Sequence, residues 1–258
     1  MGQDSKIEWT HHTANLWWGC TEVHAGCDNC YARVFSNRYN EPLWGNDKPR
    51  KAIHGVWKNL DKFQRLAEKK GEYHRVFVGS MMDIFEKSMP LSNPLDHYTE
   101  TDDLRQELFC RIGMELYPNL LFLLLTKRPS NIPKYVPAGW LDEPQYNVMY
   151  GTSPVDQETF NTLVPQLLKV KGYKFLSIEP QLAHIDIVAA DGVDWIIQGG
   201  ESGHHKRPFN IEWAYSIRND CDRLGIPYFF KQIDKIQPIP KDLIHSREFP
   251  EPKLTPYW

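Results

Sequence analysis

Short apolar runs that end abruptly in small or polar residues recur seven times along the chain. Each run has the length of a β-strand that is buried on both faces. We therefore predict seven core strands. These strands are Asn15–Cys20, Arg75–Ser80, Leu120–Thr126, Asn147–Thr152, Tyr173–Ile178, Val193–Gly199 and Pro227–Lys231.

Segments with helical periodicity separate these strands. An apolar stripe runs through 56–70, and similar stripes lie in 104–116, 155–169 and 211–224, the last preceded by Asn210 as a suitable N-cap. Alternating strands and helices predict a parallel sheet with right-handed crossovers. We therefore expect an α/β fold, a full or partial parallel (β/α) barrel, with a doubly wound open sheet as the alternative.

Composition and the distribution of proline indicate how the chain is divided into domains. The 258 residues are 41% hydrophobic and 24% charged, which is ordinary globular usage. We assign residues 1–232 to the barrel domain and 233–258 to a proline-rich C-terminal arm, which lies over the body or is poorly ordered. The net charge of −3 argues against a broad nucleic-acid-binding surface but leaves room for a local one.

Cellular location follows from what the sequence lacks. No apolar run is long enough to span a membrane, and the first eight residues do not form a signal peptide. Five cysteines in a chain of this size exclude a small disulfide scaffold. We expect a cytoplasmic protein without membrane contact, in which clustered cysteines bind metal.

The strongest local motif is Cys20, Cys27 and Cys30, spaced Cys-x6-Cys-x2-Cys directly after the first predicted strand. The three thiolates could hold a four-iron, four-sulfur (4Fe-4S) cluster with one iron left open for S-adenosylmethionine. A structural zinc site is the other interpretation and needs a fourth ligand. The candidates for that ligand are His11, His12 and His24.

A three-cysteine loop after strand one of a parallel barrel resembles the layout of radical S-adenosylmethionine enzymes. The usual spacing there is Cys-x3-Cys-x2-Cys, whereas the first gap here is six residues, and Asn29 stands where an aromatic residue is usual. These departures concern how S-adenosylmethionine would contact the loop.

Polar clusters follow the other predicted strands. Because the carboxyl ends of parallel strands share one edge of a sheet, we expect these clusters to form a single rim around a ligand. The clusters are Gly79–Asp83, Thr126–Pro129, Gly151–Pro154, Ser177–Pro180, Gly199–Gly203 and Phe230–Gln232.

As a set and in order, these motifs resemble the phage Gp37/Gp68-type family, a domain of unknown function regarded as divergent radical S-adenosylmethionine proteins. The resemblance covers about residues 5–233. It implies an enzyme in the cytoplasm of a phage-infected or prophage-carrying bacterium that generates a 5′-deoxyadenosyl radical. The radical would rearrange or modify a small-molecule or nucleotide/DNA substrate, as in an isomerase of thymine hypermodification, with a flavodoxin-like or other reductant as electron donor.

The resemblance also implies roles for individual residues. Asp83 would accept from the ammonium group of S-adenosylmethionine, and Thr152 and Ser153 would bind its ribose. For each carboxylate, a structural salt bridge is the alternative. The expected metal ligands are Cys20, Cys27 and Cys30; the cofactor-binding residues are Tyr31, Ser80, Met82, Asp83, Thr152, Ser153, Glu179, Gly199 and Gly200; and the catalytic or substrate-binding residues are Lys127, Glu201, Arg207 and Lys231.

A function from a different class is a zinc-stabilised phage nucleic-acid-binding or host-interaction protein without catalysis. Basic stretches at 48–51 and 204–207 could contact phosphates in such a protein. It would have a closed site of three cysteines and a histidine, with no need for the polar rim. Its candidate stacking residues are Trp17, Trp18, Trp44 and Trp57.

Overall fold

The computed structural model describes residues 2–39, 42–95, 97–202 and 205–250. The strands are β1 (His12–Ala14), β2 (Trp17–Trp18), β3 (Lys51–Ala52), β4 (His74–Val78), β5 (Pro90–Leu95), β6 (Tyr98–Glu100), β7 (Leu120–Thr126), β8 (Val148–Thr152), β9 (Tyr173–Ile178), β10 (Trp195–Gly199) and β11 (Tyr228–Gln232). The α-helices are α1 (Tyr31–Asn37), α2 (Val56–Lys70), α3 (Thr101–Gly113), α4 (Ile132–Tyr135), α5 (Ala138–Asp142), α6 (Gln157–Leu168), α7 (Ile211–Leu224) and α8 (Lys241–His245).

Seven strands form one parallel sheet in the order β1-β4-β7-β8-β9-β10-β11. The order follows the chain without reversal, so the sheet curls in one direction into a half-barrel, with β1 and β11 at its edges. This confirms the predicted partial barrel. A doubly wound sheet would reverse its strand order at a switch point, and this sheet does not.

The first predicted strand is wrong by several residues. The strand that joins the sheet is β1, whereas the two tryptophans of β2 pair antiparallel with β3. The error arose because β1 is buried through His12 and Thr13, which are 1% and 8% exposed, so no apolar pattern marks it. The other six strands lie within about two residues of their predicted limits.

The predicted helices form, and local capping sets their limits. α2 and α7 match the predicted 56–70 and 211–224, and Asn210 accepts from Glu212 N at 3.0 Å. α3 begins three residues before the predicted start because Glu100 and Asp103 form a capping box. α6 begins after Asp156, whose side chain accepts from Thr159 N.

The sheet is buried on both faces. One face packs against the helices, and the other carries a second apolar cluster, against which no helix of the described residues packs. Trp9, which precedes β1, fills this second cluster from the N-terminal side, at 2% exposure. The cluster also contains Phe77, Leu121, Leu123, Met149, Phe175, Trp195, Ile197 and Phe229.

The two ends of the described chain meet on that second face of the sheet. Arg247 pairs with both carboxylate oxygens of Glu8 at 3.1 and 3.2 Å, and Trp195 Nε1 donates to Glu248 O at 3.0 Å. Residues 233–250 of the proline-rich arm therefore pack on the body and include α8, whose Leu243 is fully buried. Residues 251–258 of the arm lie outside the described residues. In the described chain, no helix has both the length and the apolarity needed to cross a membrane.

Candidate active site

A cavity of about 570 Å³ opens at the carboxyl edge of the sheet. The loops that follow β4, β7, β8, β9, β10 and β11 all contribute to its wall, so the predicted polar clusters do come together. The N-terminal segment 6–9 adds a further part of the wall. From the strand ends, the lining residues are Gly79–Asp83, Leu125–Arg128, Ser153, Ser177, Glu179, Pro180, Gly200–Ser202, Lys231 and Gln232.

All three cysteines of the motif line this cavity and are partly exposed. Cys27 and Cys30 lie on successive turns, since Cys30 N donates to Cys27 O at 3.2 Å, and Cys30 immediately precedes α1. Cys20 lies just after β2, and its backbone forms an isolated parallel β-bridge with that of Trp44. The donor set and its shared cavity suit an iron–sulfur cluster. Across the described ranges, however, no three metal-ligating side chains lie close enough to hold one ion. Binding would therefore require the thiols to turn toward one another.

The surroundings of Cys20 keep its free thiol protonated. Burial, followed by the nearby carboxylates of Asp83 and Glu86, raises the pKa of Cys20 to about 12. A metal ion removes the proton of a coordinating thiol outright. Metal binding at Cys20 would therefore release a proton at neutral pH.

The proposed fourth zinc ligands are not placed with the cysteines. His24 Nδ1 accepts from Gly26 N at 3.1 Å and caps the short turn Ala25–Cys27, and the ring is not part of the cavity wall. Burial lowers the pKa of His24 to about 4. His11 and His12 lie at the amino end of β1, where His12 Nε2 is 3.0 Å from His74 Nδ1.

Asp83 is held by four donors. Oδ1 accepts from Thr126 Oγ1 at 2.7 Å and from Phe85 N at 2.9 Å, while Oδ2 accepts from Arg128 at 2.6 Å and Lys127 N at 3.1 Å. A carboxylate has about four acceptor positions, so all are occupied. Asp83 anchors the loop after β4, as in the structural alternative. It could accept from an ammonium group only by releasing one of these donors.

Arg50 ties the cysteine loop to the loop after β4. Its side chain is fully buried and makes a bidentate pair with Glu86, with both nitrogen–oxygen distances at 2.8 Å. Trp17 Nε1 donates to the same carboxylate at 3.1 Å. The prediction that the 48–51 stretch contacts phosphates is therefore wrong for Arg50. Its guanidinium also donates to the carbonyls of Leu43, Gly45 and Lys48 and to Thr21 Oγ1.

Glu179 and Ser153 retain free hydrogen-bonding capacity in the cavity wall. Lys231 Nζ lies 2.8 Å from Glu179 Oε1, but without the alignment of a hydrogen bond, and Ser177 Oγ donates to Oε2 at 3.2 Å. Ser153 is 1% exposed, and its hydroxyl has no hydrogen-bond partner in the part of the chain that the structure describes. These groups are available to a ligand.

Glu201 connects the end of β10 to the cysteine loop. It accepts from Asn29 Nδ2 at 3.0 Å and from Arg207 Nε at 3.1 Å, while Arg207 also pairs with Asp28 at 3.2 Å. Burial alone would raise the pKa of Glu201, but the hydrogen bonds from the Arg207 side chain and backbone and from Asn29 outweigh it and lower the pKa. Glu201 is therefore ionised at neutral pH.

The other predicted site residues divide into two groups. Tyr31, Ser80 and Met82 line the cavity, and the Tyr31 hydroxyl donates to Ser80 O at 2.7 Å. Thr152 does not line it: the side chain is buried and donates to Thr126 O at 2.8 Å. Of the remaining predicted residues, the cavity is lined by Lys127, Lys231, Glu201 and Gly200 but not by Gly199 or Arg207.

Of the four predicted stacking residues, one is buried and three are partly exposed. Trp17 is fully buried, and Trp57 lies under the guanidinium of Arg111. Trp44 lines the cavity, and Trp18 packs edge-on against Phe35. His204, from the 204–207 stretch, lies outside the described residues.

Sequence reasoning missed several wall residues. Lys6, Trp9 and Lys235 line the cavity but belong to no strand-end motif. Only the fold reveals them, because the segments before β1 and after β11 meet on the face of the sheet that carries the second apolar cluster. The basic stretch at 48–51 predicted a phosphate contact and gave no sign that Arg50 is fully buried against Glu86.

No curated protein and no solved structure matches the chain. One family model matches residues 4–241, which is nearly the whole chain and includes every residue of the cavity wall. The chain therefore belongs to the family described as "Protein of unknown function (DUF5131)".

Proposed function

We propose that the protein is a radical S-adenosylmethionine enzyme of phage or prophage origin, acting on a nucleotide or DNA-base substrate in the host cytoplasm. The observation that supports this most directly is the placement of Cys20, Cys27 and Cys30 on one cavity at the carboxyl edge of a sequentially wound parallel half-barrel. A loop of three thiols and a wall of polar strand ends suit an open-iron cluster better than a closed structural site.

When bound, a reduced 4Fe-4S cluster supplies the electron that cleaves S-adenosylmethionine into methionine and a radical that abstracts hydrogen from the substrate. The chain's own residues hold the reactants. Cys20, Cys27 and Cys30 would ligate the cluster. Ser153 and Glu179, whose polar atoms are incompletely bonded, are the best placed to bind the ribose hydroxyls or the ammonium group of S-adenosylmethionine.

One further feature supports the assignment. The Lys231 ammonium beside Glu179 can move between that carboxylate and a ligand, because their contact lacks hydrogen-bond alignment. A one-electron donor of the flavodoxin type, or another low-potential reductant, completes the proposed reaction.

The test is anaerobic reconstitution with iron and sulfide, followed by reduction with dithionite. We expect about four iron and four sulfide per chain, and cleavage of S-adenosylmethionine to 5′-deoxyadenosine and methionine. Alanine at Cys20, Cys27 or Cys30 should remove the cluster. Cys110→Ala provides the control, because Cys110 lies on the outer face of α3 and is exposed.

The same preparation tests the alternative. If stoichiometric zinc persists in His24→Ala and in all variants of the cysteine loop, the metal is adventitious. If zinc is lost when His24 or one of the cysteines is replaced, it occupies a structural site. A structural zinc site contradicts the radical enzyme, and so does an absence of cleavage in cluster-replete protein.

A further inference from the structure

The charges around the cavity are unequally matched. Five carboxylates line its wall, and each is paired with a cation. Three of those partner cations do not line the cavity, so the carboxylates that they pair with leave lysines of the cavity wall without an acidic partner. The pairs are Glu8 with Arg247, Glu22 with Arg33, Asp83 with Arg128, Glu179 with Lys231 and Glu201 with Arg207.

Three lysines of the wall have no such match. Lys6, Lys127 and Lys235 line the cavity, and none of them has an acidic partner among the residues that the structure describes. Lys127 is half-buried, and its charge contributes to lowering the pKa of His24. Lys6 and Lys235 are exposed, and Lys235 follows β11 by three residues.

A further donor lies beside Lys6. Trp9 forms part of the wall, and its indole Nε1 is buried without an acceptor in the described part of the chain. Indole N–H is a donor only, so it requires an oxygen or another acceptor from a ligand. The N-terminal segment of the wall thus offers a cation and an unmatched donor together.

We propose that this cavity binds a substrate with a phosphate monoester, whose charge is matched by Lys6, Lys127 and Lys235. A phosphate monoester carries about −1.5 to −2 charges at neutral pH and several strong acceptor oxygens. S-adenosylmethionine does not supply this charge, because its carboxylate is accompanied by an ammonium and a sulfonium cation. The proposal rests on the proposed function for its nucleotide chemistry and identifies that substrate as a free mononucleotide.

The lysines contribute unequally because their exposure differs. A charge-assisted hydrogen bond from a half-buried group is worth about 10- to 150-fold in affinity, so Lys127→Gln should weaken binding by at least about 10-fold. Exposed ion pairs are worth much less, so Lys6→Gln and Lys235→Gln should each cost about 2- to 5-fold. Salt should weaken binding of the wild type more than that of the triple variant.

The experiment is calorimetric titration of the reconstituted, unreduced protein with thymidine 5′-monophosphate, thymidine and inorganic phosphate. We expect the monophosphate to bind at least about 10-fold more tightly than thymidine, and inorganic phosphate to compete with it. Lys62→Gln and Lys69→Gln on the exposed face of α2 are matched controls and should bind as the wild type does.

Equal binding of thymidine and its monophosphate overturns the proposal, as does an absence of binding by both phosphate probes. Wild-type affinity in the triple lysine variant also overturns it. A thymidine oligonucleotide without a terminal phosphate that binds more tightly than the monophosphate would overturn the monoester assignment. Failure of the radical chemistry is separate, because it appears as absent 5′-deoxyadenosine while the titrations are unaffected.

Discussion

Replacing Arg50 by Met should destabilise the fold more than any other single charge removal near the cavity. The side chain is fully buried and makes six hydrogen bonds, two to Glu86 and four to the loops that flank Cys20. Methionine has similar length but no donors. The change therefore leaves the Glu86 carboxylate buried with Trp17 as its remaining donor.

The expected cost follows from the isolated charge. Removing one partner of a buried ion pair costs about 3–5 kcal/mol. That is a large share of the roughly 5–15 kcal/mol by which natural proteins are stable. Urea unfolding followed by tryptophan fluorescence measures the difference. Arg223→Met is the matched control, because Arg223 forms an exposed pair with Asp220 on α7 and should cost less than about 1 kcal/mol.

A double substitution separates the lost charge from lost packing. In Arg50→Met with Glu86→Leu, the unmatched carboxylate is gone, so the double variant should be more stable than the sum of the two single effects by at least about 2 kcal/mol. Additive effects, or a cost below about 1 kcal/mol for Arg50→Met alone, would show that Arg50 does not hold these loops together as described.

Three other perturbations test separate parts of the structure. His12 is buried and neutral, and burial followed by the charge of His74 lowers its pKa to about 4. The free energy of unfolding should therefore be highest above the unfolded pKa of about 6.5 and should fall by about 1–2 kcal/mol between pH 7 and pH 5. Urea unfolding of His12→Asn should lack that part of the pH dependence. Gly200→Ala should lower the free energy of unfolding by about 1–3 kcal/mol, because a Cβ there overlaps Ile233 O. Gly139→Ala, with open space around the Cβ, should be neutral or slightly stabilising. Thermal unfolding of both variants compares them. Arg207→Met should release the turn at 25–28 from β10, since Arg207 bonds both Ala25 O and Asp28, and faster amide hydrogen exchange at 26–28 with unchanged exchange in α7 would show it.

The sheet could be predicted because its signal is local. Leu120–Thr126 and Tyr173–Ile178 are apolar runs of strand length, and both form strands with those limits. β1 could not be found in this way, because its burial depends on a histidine pair with β4, which is distant in sequence. The alternation of strands and helices predicted a parallel sheet, but it did not distinguish the observed sequential strand order from a doubly wound sheet, nor did it give the extent of closure.

The candidate site was predictable in position but not in its bonding. Strand-end motifs identified most of the wall, since parallel strands end at one edge. They could not show that all acceptor positions of Asp83 are occupied, because three of its four donors come from the end of β7 and the loop after it, more than forty residues away. Nor could they show which lysines lack acids, because pairing depends on neighbours that only the fold assembles.

The contact between Glu8 and Arg247 has a consequence for the order of folding. These residues are 239 positions apart, so the contact that fastens the two edges of the half-barrel requires nearly the whole chain to be present. During synthesis, β1 to β10 can pair in succession as each emerges, because every new strand adds beside the previous one in the sheet. The apolar cluster around Trp9 and Trp195 would stay open to solvent until residues 247–249 arrive to cover it. A nascent chain arrested before that point would therefore expose this surface and be a target for chaperones.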